Sequence, residues 1–418
     1  MSLIVLFFTL LVVLADAESN GYKSYKNYKV FEITGSLESV SDFRGHMETN
    51  ESVVGDNEAV FVWGSGHMLH ALVPEGRLAH VRATLRQRNL TATLLQHDVS
   101  QYCVEQANSR RTKEFGWSAY YDVDDMYAYL RNMSARYPAW AAPVVGGRSY
   151  EGREILGLRV RNPGAARQPA IFIESGIHAE EWITSATITY FINELLTSND
   201  PNMTALRDNF DWHIFPLVNP DGYHYSMSND VMWRKTRSRS PNGCFGADPN
   251  RNWDYKWDLA LNASSDPCDN RYTGSQPFSE VETRTLASYI TAVENLQAYL
   301  AFHSNAQMLL VPYSDSKEHL DNYHDLIQVG KATLEYGRRV NGEKYDGVGT
   351  AAEMLYPASG GSMDWVRHTL RTPLVYTWEL RGWALPCWPA ARIPEQGDEV
   401  TQMIHGLTVE ARKLGYLK

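Results

Sequence analysis

The sequence predicts an α/β fold: a mixed, largely parallel sheet with helices on both faces, preceded by a small α+β segment. Three observations carry this expectation. Apolar runs alternate with helix-period stretches from Ile155 to the C-terminus, the pattern of a sheet wound with helices. One run, Ala170-Ile-Phe-Ile173, is almost continuously apolar, as in a strand covered on both faces. The hundred or so residues after the leader carry a separate pattern of short strands with one or two helices, and 418 residues exceed a usual single core.

The leader holds an apolar run from Leu3 to Leu14, too short to span a bilayer comfortably, and ends in Ala15-Asp16-Ala17. Residues 1–17 are therefore expected to be a signal peptide, and the mature chain to be secreted and extracellular. Asn50, Asn89, Asn132, Asn202 and Asn262 head N-x-S/T sequons, which fits export, as do Cys103, Cys244, Cys268 and Cys387. No later stretch is apolar enough to span a membrane. A formal net charge of −10 without a Lys/Arg run argues against a nucleic-acid partner.

Tyr28-Val30-Phe31-Ile33, Ala59–Trp63 and Leu69–Val73 read as strands, Gly76–Asn89 as a helix, and Thr91–Leu95 as a further strand. This small unit ends in a polar stretch carrying Arg110-Arg111. An exposed dibasic pair in a linker is a site for trypsin-like cleavage, so residues 18–111 are expected to be a removable prosegment and 112–418 the main domain. In that domain Ile155–Val160, Ala170–Ile173, Trp212–Val218, Ala298–Phe302 and Leu374–Trp378 read as strands. Thr184–Leu196, Thr283–Glu294, His324–Val340 and Glu399–Leu414 read as helices. Sites in such sheets lie beyond the carboxyl ends of the strands.

The residues suited to chemistry cluster there. His178 and Glu181 follow the Ile171 strand three positions apart, and share a face if they sit on a first helical turn. His303 ends the run Ala298–Phe302. Two imidazoles and one carboxylate make a His2Glu site for Zn2+ with a position left open, which brings the pKa of bound water towards ~7. Glu379 follows the strand Leu374–Trp378; a carboxylate at that place is costly unless it is used or paired, for example with Arg381. His67 and His70 also lie three apart, but in strand context, and read as structural.

Taken in order, Gly147–Arg153, His178…Glu181, Asn219-Pro-Asp-Gly222, Trp233–Arg237, Asn250-Arg-Asn-Trp253, His303, Tyr356–Ser362 and Glu379-Leu-Arg381 closely resemble the funnel-group zinc metallocarboxypeptidase precursors of pancreatic and insect-gut, carboxypeptidase A-like type. The resemblance covers nearly the whole chain after the leader. It implies a carboxypeptidase-like fold behind a ferredoxin-like prosegment, one Zn2+ per catalytic domain, and a monomer acting on peptide and protein C-termini. It gives Glu379 the role of base, Arg234 that of carbonyl polariser, Asn250 and Arg251 that of carboxylate clamp, and Tyr356 that of mobile lid. Arg forks hold carboxylates as Lys cannot. It pairs Cys244 with Cys268 and offers no partner for Cys103 or Cys387, which are expected to be free, because a bond between them would hold the prosegment in place after cleavage. Met363, with Leu355 and Ala351, matches the pocket floor and walls, and a thioether there suits apolar C-terminal residues. Asp364 stands beside it. The sequence departs from the pattern at Glu180 and Val231, where arginines are usual, and in a shortened rim from Arg381 to Pro389. A catalytically silent binder of peptide C-termini is the alternative, and the intact ligand set and base speak against it.

Overall fold

A computed structural model of the chain describes residues 23–50, 60–65, 67–96, 98–108, 114–165, 167–382 and 387–418. The leader and the Arg110-Arg111 pair lie outside the described residues. The N-terminal unit comprises β1 (Tyr28–Thr34), α1 (Leu37–Asn50), β2 (Phe61–Ser65), β3 (Met68–Pro74), α2 (Leu78–Gln87), β4 (Thr91–Gln96) and α3 (Val99–Asn108). Its strands run in the order β2-β3-β1-β4, every neighbouring pair antiparallel. The sequence reading placed the four strands and α2. It missed α1 and α3, whose faces are mostly polar.

Strand alternation decides how this unit sits. Phe31 and Ile33, with Leu69 and Val73, pack under Val40 and Phe43 of α1 and Val81 and Leu85 of α2. Tyr28, Val30 and Leu72 point to the other face and join Val99 and Cys103 of α3 in an apolar cluster that continues into the larger unit. Period-two patterning thus makes both faces of the small sheet apolar, and the second face is covered by α3 together with the larger unit.

The larger unit contains α4 (Val123–Arg136), β5 (Ala141–Arg148), β6 (Glu154–Val160), β7 (Ala170–Ser175), α5 (Trp182–Thr197), α6 (Pro201–Asn209), β8 (Asp211–Phe215), α7 (Pro220–Ser228), α8 (Val281–Thr291), β9 (Leu296–Ser304), β10 (Met308–Val311), α9 (Tyr323–Asn341), β11 (Val348–Thr350), α10 (Ala351–Met354), α11 (Ser362–Leu370), β12 (Leu374–Leu380) and α12 (Ile393–Lys413). Eight strands form one sheet in the order β11-β10-β12-β9-β7-β8-β6-β5. The centre, β12-β9-β7-β8, is parallel, while β6 runs antiparallel to β8 and to β5, and β10 antiparallel to β12. All six residues of β7 are buried. Ile171 and Ile173 enter one apolar cluster and Phe172 the other, and Leu300 and Tyr299 of β9 divide the same way. Helices therefore cover both faces, as the continuous apolar runs required.

Cys244 and Cys268 form the expected disulfide, 24 residues apart. Cys103 and Cys387 are also bonded, across a separation of 284 residues, which corrects the expectation of free thiols. Both lie in the apolar cluster shared by the two units, Cys103 fully buried and Cys387 2% exposed. Among the described residues no helix is long and apolar enough to cross a membrane. Asn89, Asn132 and Asn202 of the sequons are exposed.

His213 on β8 provides a test of core electrostatics. Burial lowers its pKa to about 4, against the opposing pull of Asp211. The neutral ring accepts or donates at Tyr289 Oη, 2.8 Å away. A depressed folded value means that the unfolded chain binds a proton first as the solution is acidified. His213 thus contributes stability above about pH 6.5, lost progressively towards pH 4, and worth up to about 3 kcal/mol. Denaturant titrations of wild type and His213→Gln should diverge above that window and converge below it.

Candidate active site

The chain turns sharply as it leaves β7. Gly176 adopts φ +63, and a Cβ there would lie 2.6 Å from Ser185 Oγ, so a glycine is required. The following turn carries His178, and Glu181 stands at the N-cap of α5. The two residues share a tight turn, not the first helical turn expected from their spacing. His303 lies near the end of β9, and Glu379 is its register partner on the parallel neighbour β12. Chain-distant residues thus meet at the carboxyl edge of the sheet, where the helix-sheet topology opens a crevice.

His178 Nδ1 is 2.9 Å from Glu181 Oε1 and 3.1 Å from His303 Nδ1. His303 Nδ1 is 3.3 Å from Glu181 Oε2. All three side chains are buried. On its far side, His178 Nε2 donates to Asp248 Oδ1 at 3.2 Å, so a neutral His178 directs its Nδ1 lone pair into the cluster. His178 Nδ1, His303 Nδ1 and the Glu181 carboxylate thus converge on one point. Donors bound to one zinc at tetrahedral angles and 2.0–2.1 Å stand about 3.3 Å apart, close to the spacing found here. The residues present fit a zinc ion.

The charges argue the same way. Burial and Arg234 oppose a proton on His178, but Glu181 and Asp248 outweigh them and raise its pKa to about 9. Burial would raise Glu181, yet the His178 and His303 imidazoles hold it low. Burial lowers His303. Without a cation the cluster retains a proton on His178 to balance Glu181. A divalent ion supplies that balance and releases the proton.

Glu379 reaches towards the same cavity. Its carboxylate accepts from Ala306 N at 3.4 Å. Burial, then the charge of Glu181, raise its pKa above the usual carboxylate range. The alternative pairing with Arg381 does not occur: Arg381 is held by Glu399 at 2.9 Å and Glu395 at 3.0 Å.

Arg234 is held on two sides, by Asp248 at 3.0 Å and by Glu180 at 3.4 Å. Glu180 lines the cavity paired with Arg234, so it is not an isolated acid there. Val231 is fully buried, and Met232 takes the place on the cavity wall. Arg251 is anchored to backbone, through Nε to Asn262 O at 3.0 Å and through one terminal nitrogen to Asn250 O at 2.9 Å. Among the described residues no carboxylate lies within ion-pair distance of it, so a buried guanidinium lines the cavity without a direct carboxylate partner. Asn250 is pinned by Ser362 N at 3.0 Å. Gly360, at φ +72, passes so close to Arg251 that a Cβ would lie 2.4 Å from its carbonyl oxygen.

The cavity, about 270 Å³, is lined by His178, Glu181, His303, Arg234, Asn250, Arg251, Tyr356 and Glu379. Its apolar end is formed by Met363, Leu310, Ala351 and Leu355. Met363 Sδ accepts from Thr377 Oγ1 at 3.3 Å. Asp364 does not line the cavity: it is fully buried and accepts from Ser314 N. Tyr356 lies on the irregular stretch between α10 and α11. The sequence-predicted metal-ligand, catalytic and substrate-contact residues thus line one cavity, while Cys244 and Cys268 lie outside it.

Sequence reasoning missed the residues that fasten this place. Asp248 links His178 to Arg234, and its position before Pro249, as a turn cap, was the available signal. Asn219 donates to the carbonyls of Ile177 at 3.0 Å and Lys235 at 3.1 Å, stitching the His178 turn to the Arg234 segment. Asp221 holds Ser149 Oγ at 2.7 Å and Arg153 at 2.7 Å, which explains the paired motifs at residues 147–153 and 219–222. Fully buried Glu174 accepts from Ser362 Oγ at 2.7 Å and fixes the pocket floor.

Residues 126–403 match the family model described as zinc carboxypeptidase. A zinc carboxypeptidase of Simulium vittatum is 44% identical over 302 residues, covering 71% of this chain and 98% of its own. Zinc carboxypeptidase A 1 of Anopheles gambiae is 34% identical over 427 residues, 97% of this chain and 95% of its own. Among solved structures, carboxypeptidase A from Helicoverpa armigera superposes with a TM-score of 0.81 at 26% identity, covering 94% of this chain and 99% of its own. Thrombin activatable fibrinolysis inhibitor gives 0.80 at 25% identity, covering 93% and 99%.

Zinc titration by equilibrium dialysis checks the site. His303→Ala and Glu181→Gln should abolish stoichiometric binding. Asp248→Asn, which keeps all three ligands, should weaken it about 10- to 100-fold.

Proposed function

Since this chain belongs to the zinc carboxypeptidase family, we propose that it hydrolyses the last peptide bond of its substrates, with a preference for apolar C-terminal residues, and that it is secreted as a precursor. The observation that carries this reading is one cavity holding the His178–Glu181–His303 cluster, Glu379, an unpaired Arg251 and an apolar end at Met363.

His178, Glu181 and His303 would hold the zinc, which supplies a Lewis acid and makes water more acidic. Arg251 and Asn250 bind the terminal carboxylate. That contact restricts cleavage to chain ends, because an internal residue offers no charge to the guanidinium. The C-terminal side chain enters the space bounded by Met363, Leu355 and Ala351. Arg234 donates to the scissile carbonyl oxygen, where negative charge develops. Glu379 takes a proton from the attacking water and passes it to the departing amine nitrogen. The raised pKa of Glu379 suits both halves of that transfer. Tyr356 closes over the bound residue.

The leader at residues 1–17, the two disulfides and the placement of the N-terminal unit over the cavity support the precursor reading. Arg44, Val60, Phe61, Val62 and Gly64 line the same cavity as the cluster. Residues 18–111 then act as the prosegment and 112–418 as the catalytic domain, with a trypsin-like protease cutting at Arg110-Arg111. No observation favours a silent peptide binder.

Steady-state kinetics on blocked dipeptides test the roles. Glu379→Gln should retain zinc and lower kcat at least about a hundredfold, the usual contribution of a general base. Met363→Asp should move the ratio of kcat/KM for Phe against Arg termini by about two orders of magnitude towards Arg. A wild-type enzyme that releases Arg faster than Phe refutes the pocket assignment.

A further inference from the structure

We propose that cutting the linker does not release the prosegment: it yields a two-chain enzyme in which the N-terminal unit stays bonded through Cys103–Cys387 and acts as a tethered, reversible inhibitor of its own active site. This rests on the precursor reading above and adds a regulatory step to it.

The connectivity carries the argument. Cys103 lies on α3 (Val99–Asn108), before the linker, and Cys387 lies in the catalytic unit, just ahead of α12. Every cut after Asn108 and before Phe115 is therefore C-terminal to Cys103 and leaves the bond intact. Both sulfurs sit in the apolar cluster shared by the units, out of reach of solvent thiols while the unit stays docked.

The contacts that dock the unit likewise come from residues N-terminal to the linker. Tyr25 Oη donates to Asp230 Oδ1 at 2.6 Å, and Lys23 Nζ pairs with Asp230 Oδ2 at 3.2 Å. Lys23 N donates to Asn229 O at 2.6 Å, and Ala390 N donates to Gln106 Oε1 at 3.0 Å. A cut at Arg110-Arg111 removes none of these. The docked unit lays Phe61 and Val62 of β2 on the cavity wall that also carries His178 and Glu379. Substrate must therefore displace a neighbour that cannot diffuse away. Short tethers give effective concentrations in the millimolar range, so dilution does not relieve the block.

Two measurements test this on the full-length chain. Trypsin-treated wild type is run on denaturing gels with and without reductant. A single band near full length without reductant, resolving into two with it, is expected. Two bands without reductant overturn the proposal. Absence of any cut in the linker overturns instead the precursor reading. The second measurement follows hydrolysis of a long peptide ending in Phe over serial dilution. Cut wild type should keep a constant, low kcat/KM, whereas cut Cys103→Ser and Cys387→Ser should gain at least about tenfold as the freed unit dissociates. Equal kcat/KM for wild type and both variants at nanomolar enzyme overturns tethered inhibition. The gel needs no variant, so the covalent claim stays testable if neither serine form folds.

Discussion

Two imidazole nitrogens and a carboxylate, all buried, face one another across about 3 Å. Without a cation these contacts depend on an extra proton held on His178, whose other nitrogen is already taken by Asp248. A divalent cation satisfies all of them at once. The rest of the site is arranged around that requirement: the sheet supplies His303 and Glu379 in register, and the turn after β7 supplies His178 and Glu181.

Holding such a cluster requires that its supports be rigid. Asp248 ties His178 to Arg234, so the metal-binding cluster and the neighbouring guanidinium share one carboxylate. Asn219 binds the backbone on each side of that pair. Burial leaves these polar groups without water, and each is satisfied by protein instead. Glu180 adds a second carboxylate to Arg234, which places two negative partners on one guanidinium and distinguishes this chain from the arginine-bearing pattern it otherwise resembles.

The N-terminal unit follows a related logic at larger scale. A sheet with two apolar faces, one of them only partly covered by a single helix, must cover the rest. It does so against the catalytic unit, and that docking brings β2 to the mouth of the cavity. The same apolar contact encloses the Cys103–Cys387 bond, so burial, placement of β2 at the cavity and covalent attachment arise from a single interface.

Much of this was legible in the sequence. Apolar runs placed the central strands because each is buried on both faces, and the positions of His303 and Glu379 at strand ends placed them at the crevice. The motif order singled out residues that the fold brings to one cavity. Helices α1 and α3 were not legible, since their apolar residues are sparse and gain their burial only from other elements. The turn geometry of His178 and Glu181, the inward turn of Asp364, the pairing of Arg234 with Glu180, and the Cys103–Cys387 bond were decided by tertiary structure. Local pattern reports which residues prefer an apolar neighbour or a given backbone shape. Which partners meet across 284 residues of separation depends on how complete units pack, and no short-range pattern encodes that.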